Sequence, residues 1–291
     1  MRRRGALALP WACLLVVAGV GGAAVAEVAG GAGGAVGTAG AGGAAAVVAS
    51  HRDLDWQAPN LWVHVDNLDP AQVALFESSR HGWLAVLRRD DGLLGDGRAL
   101  FWSADGHAYY SFYPFADWPA FEARREMVVR TQELVGKPAV EAYDAGDAAL
   151  VSPHYSQFWR RSPDFDITTP ATAALTEVTA ASGRLEVHDI DITRWDVYQQ
   201  AWRVMAAALQ AADYPLACRT FRASYGRGEV MTWWLAPDSA TYAAAPAVAA
   251  VLEKQLGAEA AAALLAQLAA VFPVRESHEM VLRPDMGNLG R

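Results

Sequence analysis

Apolar and polar positions alternate with a period of two along LWVHVD, residues 61–66. Leu61, Val63 and Val65 therefore share one face of a predicted strand, and Trp62, His64 and Asp66 share the other. The period then changes. Asp69-Pro70 offers an N-cap with proline at the first helical position, and Val73, Phe76, Trp83, Leu84 and Leu87 recur at helical spacing to about Arg89. Two β-prone runs, ALFWSA (99–104) and HAYYSFY (107–113), flank Asp105-Gly106 and predict a hairpin. Pro114 to Asp117 stops the second run. A helix is predicted from Asp117 to about Val135, with Phe121, Met127 and Val128 on its apolar side. A short helical piece is expected after Pro138, then a strand over 150–160.

The same order returns further along. A strand is predicted over 184–190, and a helix over 193–212 carries Trp195, Tyr198, Trp202 and Met205 at i, i+3, i+7 and i+10. A hairpin at 218–235, a helix from Ser239, an Ala/Leu-rich helix over 258–270 and a strand over 274–282 complete it. Three blocks of residues agree as well: LWVHVD with LEVHDI (185–190), GHAYYSFYPFADW (106–118) with GEVMTWWLAPDSATY (228–242), and 152–165 with 273–286. Blocks that keep their order at nearly constant offset read as an internal repeat. The predicted division is a first repeat at 56–165, a Thr/Ala/Ser-rich linker at 166–183 and a second repeat at 184–291. Each repeat is an α+β unit, one antiparallel sheet with helices on one face. Because apolar residues occupy both faces of the strands, the uncovered faces must also be buried. Closing the two sheets face to face into a barrel within one chain does this.

On these blocks, and on the strand endings SPDF and RPDM, the chain resembles the dimeric α+β barrel superfamily in tandem form, as in antibiotic-biosynthesis-monooxygenase-like domains. The resemblance covers residues 56–286 and is one of element order and loose pattern. It implies two ferredoxin-like βαββαβ repeats forming an intrachain pseudo-dimeric α+β barrel, with ligands held between sheet and helices. It implies roles ranging from oxygenases and haem enzymes to proteins of unassigned role. It carries no catalytic motif onto this chain.

The ends and the charge narrow the setting. Arg2, Arg3 and Arg4, the apolar stretch Ala6 to Val20 and the small residues Ala24-Val25-Ala26 predict a signal peptide over 1–26, cleaved after Ala26, and a secreted or periplasmic protein. Ala and Gly continue to about Ala49, which leaves a retained anchor as the alternative. The glycine-rich composition of 27–55 favours a flexible tether, with no stable membrane insertion after cleavage. Cleavage would remove Cys13, leaving Cys218 without a partner for an intramolecular disulfide. The formal charge is −8, and the basic pairs Arg88-Arg89, Arg124-Arg125 and Arg160-Arg161 are scattered, so nucleic acid is excluded as a partner. An internally paired barrel is expected to be monomeric.

Candidate chemistry rests mainly on histidine. His64 and His188 occupy equivalent strand positions in the two repeats, and Glu186 shares a face with His188. They read as an acid–base pair, or as half-buried strand histidines bonded to their neighbours. Two histidines and one glutamate fall short of a metal signature, and no metal is expected. His107, with Tyr109, Ser111 and Tyr113 alternating beside it, lines either a cavity or a solvated face. Tryptophan is frequent, 11 in all, and Trp62, Trp102 and Trp233 lie on predicted strands. The expected ligand set is Trp62, His64, Trp102, Tyr109, Glu186, His188 and Trp233, around a small apolar or aromatic molecule. There is no GxSxG elbow, phosphate loop or CxxC pair, and Leu282 stands where a zinc-protease helix starting at His278 would need its second histidine. Three functions remain open: a secreted, non-catalytic binding protein; a cofactor-free oxygenase or haem-using enzyme with His64, His188 or His107 as acid–base group or axial ligand; and a structural or interaction module of the envelope. No cofactor is expected from the residues themselves, and haem enters only with the second reading.

Overall fold

A computed structural model describes residues 57–87, 100–226 and 228–286. The signal peptide, its cleavage site, the tether and Arg88-Arg89 lie outside the described residues. Eight antiparallel strands close into a barrel in the order β1-β3-β2-β8-β5-β7-β6-β4. These are β1 (Asn60–Leu68), β2 (Leu100–Ala104), β3 (Ala108–Phe115), β4 (Val151–Arg161), β5 (Ser182–Asp189), β6 (Ala217–Ala223), β7 (Glu229–Ala236) and β8 (Val274–Leu282). The order β4-β1-β3-β2 in the first half is repeated as β8-β5-β7-β6 in the second. Two short ladders join the halves, one through Trp102–Leu282 and Ala104–Met280, the other through Trp159–Ala223 and Arg161–Phe221. Closure removes the free edges that an open sheet would expose.

The helices lie outside. Over the first half are α1 (Val73–Leu87), α2 (Trp118–Val135) and α3 (Lys137–Leu150). Over the second are α4 (Trp195–Ala211), α5 (Ser239–Ala244), α6 (Val248–Leu256) and α7 (Ala258–Val271). The period-two alternation of β1 divides its residues between the layers. Leu61, Val63 and Val65 enter the barrel core with Trp102, Phe112, Trp159, Leu185 and Trp233, whereas Trp62 packs under the helices with Phe76 and Phe121. Inside the barrel, Phe112 stacks on Trp233 at 4.5 Å and Trp102 meets it edge-on at 5.1 Å.

The hairpin between β2 and β3 forms as predicted. Asp105 and Gly106 both have positive φ (52° and 77°), and His107 N–H donates to Ala104 O at 3.1 Å, a turn within the three-residue loop left by the Ala104–Ala108 pair. Both faces of β3 are buried: Tyr109 and Tyr113 lie under helices, and Tyr110 and Phe112 lie in the barrel. The solvated-face reading of its polar stripe therefore gives way to a strand sandwiched between two layers.

Three segments differ from the pattern's predictions. The short piece after Pro138 is a full helix of 14 residues, α3, which starts next to that proline. The helix predicted from Ser239 is two, α5 and α6, parted around Pro246, and the predicted Ala/Leu-rich helix follows as α7 beyond Gly257, whose φ is 85°. Of the residues read as a linker, 166–183, the last two belong to β5 and 166–181 close one end of the barrel. Ile167 bridges to Cys218, Leu175 and Ala180 join the barrel core, and Glu177 is buried against Arg161 and Arg219. Strand β5 begins at Ser182 and contains Gly183, where a Cβ would stand 2.2 Å from Trp234 O. Only glycine permits that approach.

Candidate active site

The ladders of the first half assemble a polar cluster on the helix-facing side of the sheet. β4 sets Ser156 opposite His64 and His154 opposite Asp66, while β3 sets Ser111 opposite His64 and Tyr113 opposite Trp62. His64 Nδ1 is 2.7 Å from Ser156 Oγ, and His64 Nε2 is 2.9 Å from Asp66 Oδ1. A carboxylate only accepts, so the imidazole proton is assigned to Nε2, and Nδ1 accepts from the serine hydroxyl. His64 and Asp66 are 3% and 2% exposed, whereas Ser156 is exposed.

Helices α1 and α3 close the cluster from above. Arg80 of α1 is buried with its guanidinium 4.4 Å over the Phe101 ring. Asp147 of α3 is buried as well, and its carboxyl is pushed up to about 6 by burial and by the charge of Asp66, against the pull of Arg80 and a hydrogen bond with Tyr143. Tyr143 stacks on Trp83 of α1 at 4.7 Å. Two buried polar atoms in this layer, Asp147 Oδ1 and Ser111 Oγ, have no hydrogen-bond partner among the described residues. At one side Tyr109 donates to Glu77 at 2.5 Å, and Arg283 holds the Glu77 carboxyl below its usual range. The wall is aromatic: Trp62 stacks on Tyr113 at 4.6 Å and on Phe158 at 6.5 Å, and Phe158 meets the half-exposed Trp118 at 5.1 Å.

The second half is built differently. His188 is 5% exposed, stacked flat on Phe272 at 3.7 Å, with Nε2 3.1 Å from Thr232 Oγ1 and Nδ1 3.3 Å from Phe272 O. Burial drives its pKa down to about 3, so the ring is neutral at physiological pH. Glu186 accepts from Trp234 Nε1 at 3.1 Å and pairs with Arg184. Tyr198, Trp202, Leu252 and Phe272 fill the space under the helices.

The seven residues of the expected ligand set thus fall into three places. Trp62, His64 and Tyr109 lie in the first helix–sheet layer, Trp102 and Trp233 in the barrel core, and Glu186 and His188 in the second layer. His107 sits at the hairpin tip, bonded to the Asp105 carbonyl at 2.9 Å. Asp66 was within reach of the pattern, since it shares a strand face with His64 two residues away. Ser156, Ser111, Arg80, Tyr143 and Asp147 were not, because only register and helix packing bring them there.

Among the described residues no group of three or more His, Cys, Asp or Glu side chains is placed to hold a metal ion, and no helix is long and apolar enough to cross a membrane. His64 and His188 do not fit a haem. Both ring nitrogens of His64 and of His188 already lie at hydrogen-bond distance from protein atoms, and the layer over His188 is filled by aromatic rings.

No family model matches the sequence, and none of the curated proteins does. Among solved structures, the fold is similar to a proposed monooxygenase from Fusobacterium nucleatum (9% identity, 77% of this chain and 92% of that one, TM-score 0.48). It is similar also to an anthrone oxidase-like protein (12%, 80% and 93%, TM-score 0.46). A third is a chlorite dismutase variant from Candidatus Nitrospira defluvii (6%, 82% and 98%, TM-score 0.44). At these values the architecture rests on this chain's own closed strand order.

Proposed function

We propose that this is an exported, monomeric barrel of two ferredoxin-like repeats whose first half binds a small aromatic molecule carrying hydrogen-bonding groups, with His64 as the acid–base group. The identical strand order of the halves supports the duplication, with repeats at 56–165 and 184–291. The arginines and small residues of 1–26 support export with cleavage after Ala26. The observation that carries the ligand reading is the pair of orphaned buried atoms, Asp147 Oδ1 and Ser111 Oγ, in the layer that holds His64 and Asp66. A buried polar atom without a partner costs about 1–3 kcal/mol, which a ligand hydroxyl or amide would recover. An Asp147 carboxyl titrating at about 6 can either donate or accept near neutral pH. The rings of Trp62, Tyr113 and Phe158 supply the apolar contact. Acid–base work without a cofactor is the chemistry such a site supports.

The test uses 1-naphthol, an aromatic ring with one hydroxyl, against naphthalene, with protein exported by its host and mature at Glu27 by mass. Saturable naphthol binding is expected, at least about tenfold tighter than naphthalene, which corresponds to about 1.4 kcal/mol for one satisfied polar contact. Asp147→Ala and Ser111→Ala should remove that preference. Equal binding of the two probes, or a preference untouched by both substitutions, would count against the site.

A further inference from the structure

The geometry points to Ser156 as a nucleophile, activated by His64 and Asp66, for acyl transfer from small aromatic esters. The inference goes beyond the ligand reading: it rests on the His64 hydrogen bonds and does not use Asp147 or Ser111. In sequence His64 stands out and Asp66 shares its strand face, but nothing marks Ser156, which has no elbow motif around it. In the fold they form a relay. Ser156 Oγ lies 2.7 Å from His64 Nδ1, and Asp66 Oδ1 lies 2.9 Å from His64 Nε2. Nucleophile, base and orienting carboxylate within hydrogen-bond reach is the arrangement that nucleophilic catalysis requires, whatever the scaffold. Burial follows the same division of labour. The histidine and aspartate are shut away from water, and the serine stands at the exposed margin, where a substrate can reach it.

The margin is exposed for a topological reason. β4 has β1 on one side along its length, but its ladder with β6 covers only Trp159 to Arg161. Arg161 N–H donates to Pro59 O on the β1 side, and Phe158 O accepts from Ser224 N on the other, at 2.8 Å each. By strand alternation, the Ser156 N–H faces that second side, where no ladder partner lies among the described residues. A backbone donor next to the nucleophile is suited to a developing oxyanion. Phe158 and Trp62, each two residues along the same strand face from Ser156 and His64, supply an aromatic surface that runs outward to Trp118.

In the reaction, Ser156 Oγ bonds to the ester carbonyl carbon while its proton passes to His64 Nδ1, and Asp66 holds the Nε2–H of the resulting imidazolium. The bond from carbon to the leaving oxygen breaks, and the alcohol or phenol departs with the proton from Nδ1. Water then attacks the acyl-serine by the same route, releasing the carboxylic acid and regenerating the hydroxyl.

The test treats the whole exported protein with a biotinylated alkyl fluorophosphonate, which forms a phosphorus–oxygen bond to an activated serine and expels fluoride. Adducts are mapped by peptide mass spectrometry, and phenyl acetate hydrolysis is followed in parallel. A single adduct at Ser156 is expected, with its rate lowered at least about 100-fold in His64→Ala and about tenfold in Asp66→Asn. Ser156→Ala should carry no adduct and lose the hydrolysis while keeping the wild-type circular dichroism and unfolding midpoint, because the residue is exposed. A folded wild-type protein without an adduct at Ser156, or a Ser156→Ala protein hydrolysing at the wild-type rate, overturns the proposal. Naphthol preference without an adduct would sink the nucleophile alone. An adduct without naphthol preference would sink the ligand reading alone.

Discussion

Acidification from pH 6.5 to 3 is expected to cost the fold on the order of 4 kcal/mol through one side chain, His188. The ring is neutral in the folded state, with its pKa at about 3, and burial is the main cause. In the unfolded chain it titrates near the ordinary histidine value of about 6.5. Between these values the unfolded state binds the additional proton, so stability is intact above pH 6.5 and falls as pH drops towards 3. Carboxylates held low, such as Asp285 at about 2 beside Arg283, steepen the acid limb as well, but they do so equally in a His188 variant. In His188→Phe the ring can still stack on Phe272, and Thr232 keeps Glu186 within 3.4 Å. Denaturant midpoints measured from pH 8 to 4 should therefore fall less steeply for the variant, the two curves converging as pH drops. Parallel curves would show that His188 does not carry the effect.

Glu177→Ala is expected to cost about 3–5 kcal/mol, more than any surface ion pair would. Glu177 Oε1 accepts from Arg161 Nη1 and from Arg219 Nε, both at 3.1 Å, and all three residues are buried. Removing the carboxylate takes a buried partner from each of two guanidinium groups at the closed end of the barrel. Arg161 would keep Asp166 at 2.6 Å, while Arg219 would keep, among the described residues, neutral partners: Thr168 Oγ1 and the carbonyls of Leu175 and Cys218. Adding Arg219→Met to Glu177→Leu should restore much of the loss, since an apolar replacement of the whole pair avoids its desolvation cost. The same loss should open the segment over 166–181 to proteolysis, because Leu175 and Ala180 are held in the barrel core beside Glu177. A cost below about 1 kcal/mol, with unchanged cleavage in that segment, would mean that the segment is fastened by its apolar contacts alone.

Much of the barrel was legible because strands announce themselves locally. The alternation of LWVHVD places its residues on the two faces they occupy, Asp105-Gly106 turns as its backbone preferences require, and the strand at 274–282 has the predicted bounds. Apolar residues on both faces of such strands demand two covering layers, and a barrel with helices outside meets that demand. Helix α3 is expected after Pro138 but reads as a short piece, whereas it runs for 14 residues.

From the sequence alone came the strands, the hairpin turn and the expectation of a closed double-layered barrel, since each depends on side-chain periodicity or on backbone preferences within a few residues. The tertiary structure decided which aromatic and ionisable residues meet. It separated Trp102 and Trp233 from Trp62, made a closing segment of the predicted linker, and carried Asp147 over the sheet from α3. It also set Ser156 opposite His64, a pairing across 92 residues. That contact depends on ladder register, and shifting β4 by one residue would turn Ser156 away from His64. Register is set by the packing of both layers at once, which no local period encodes.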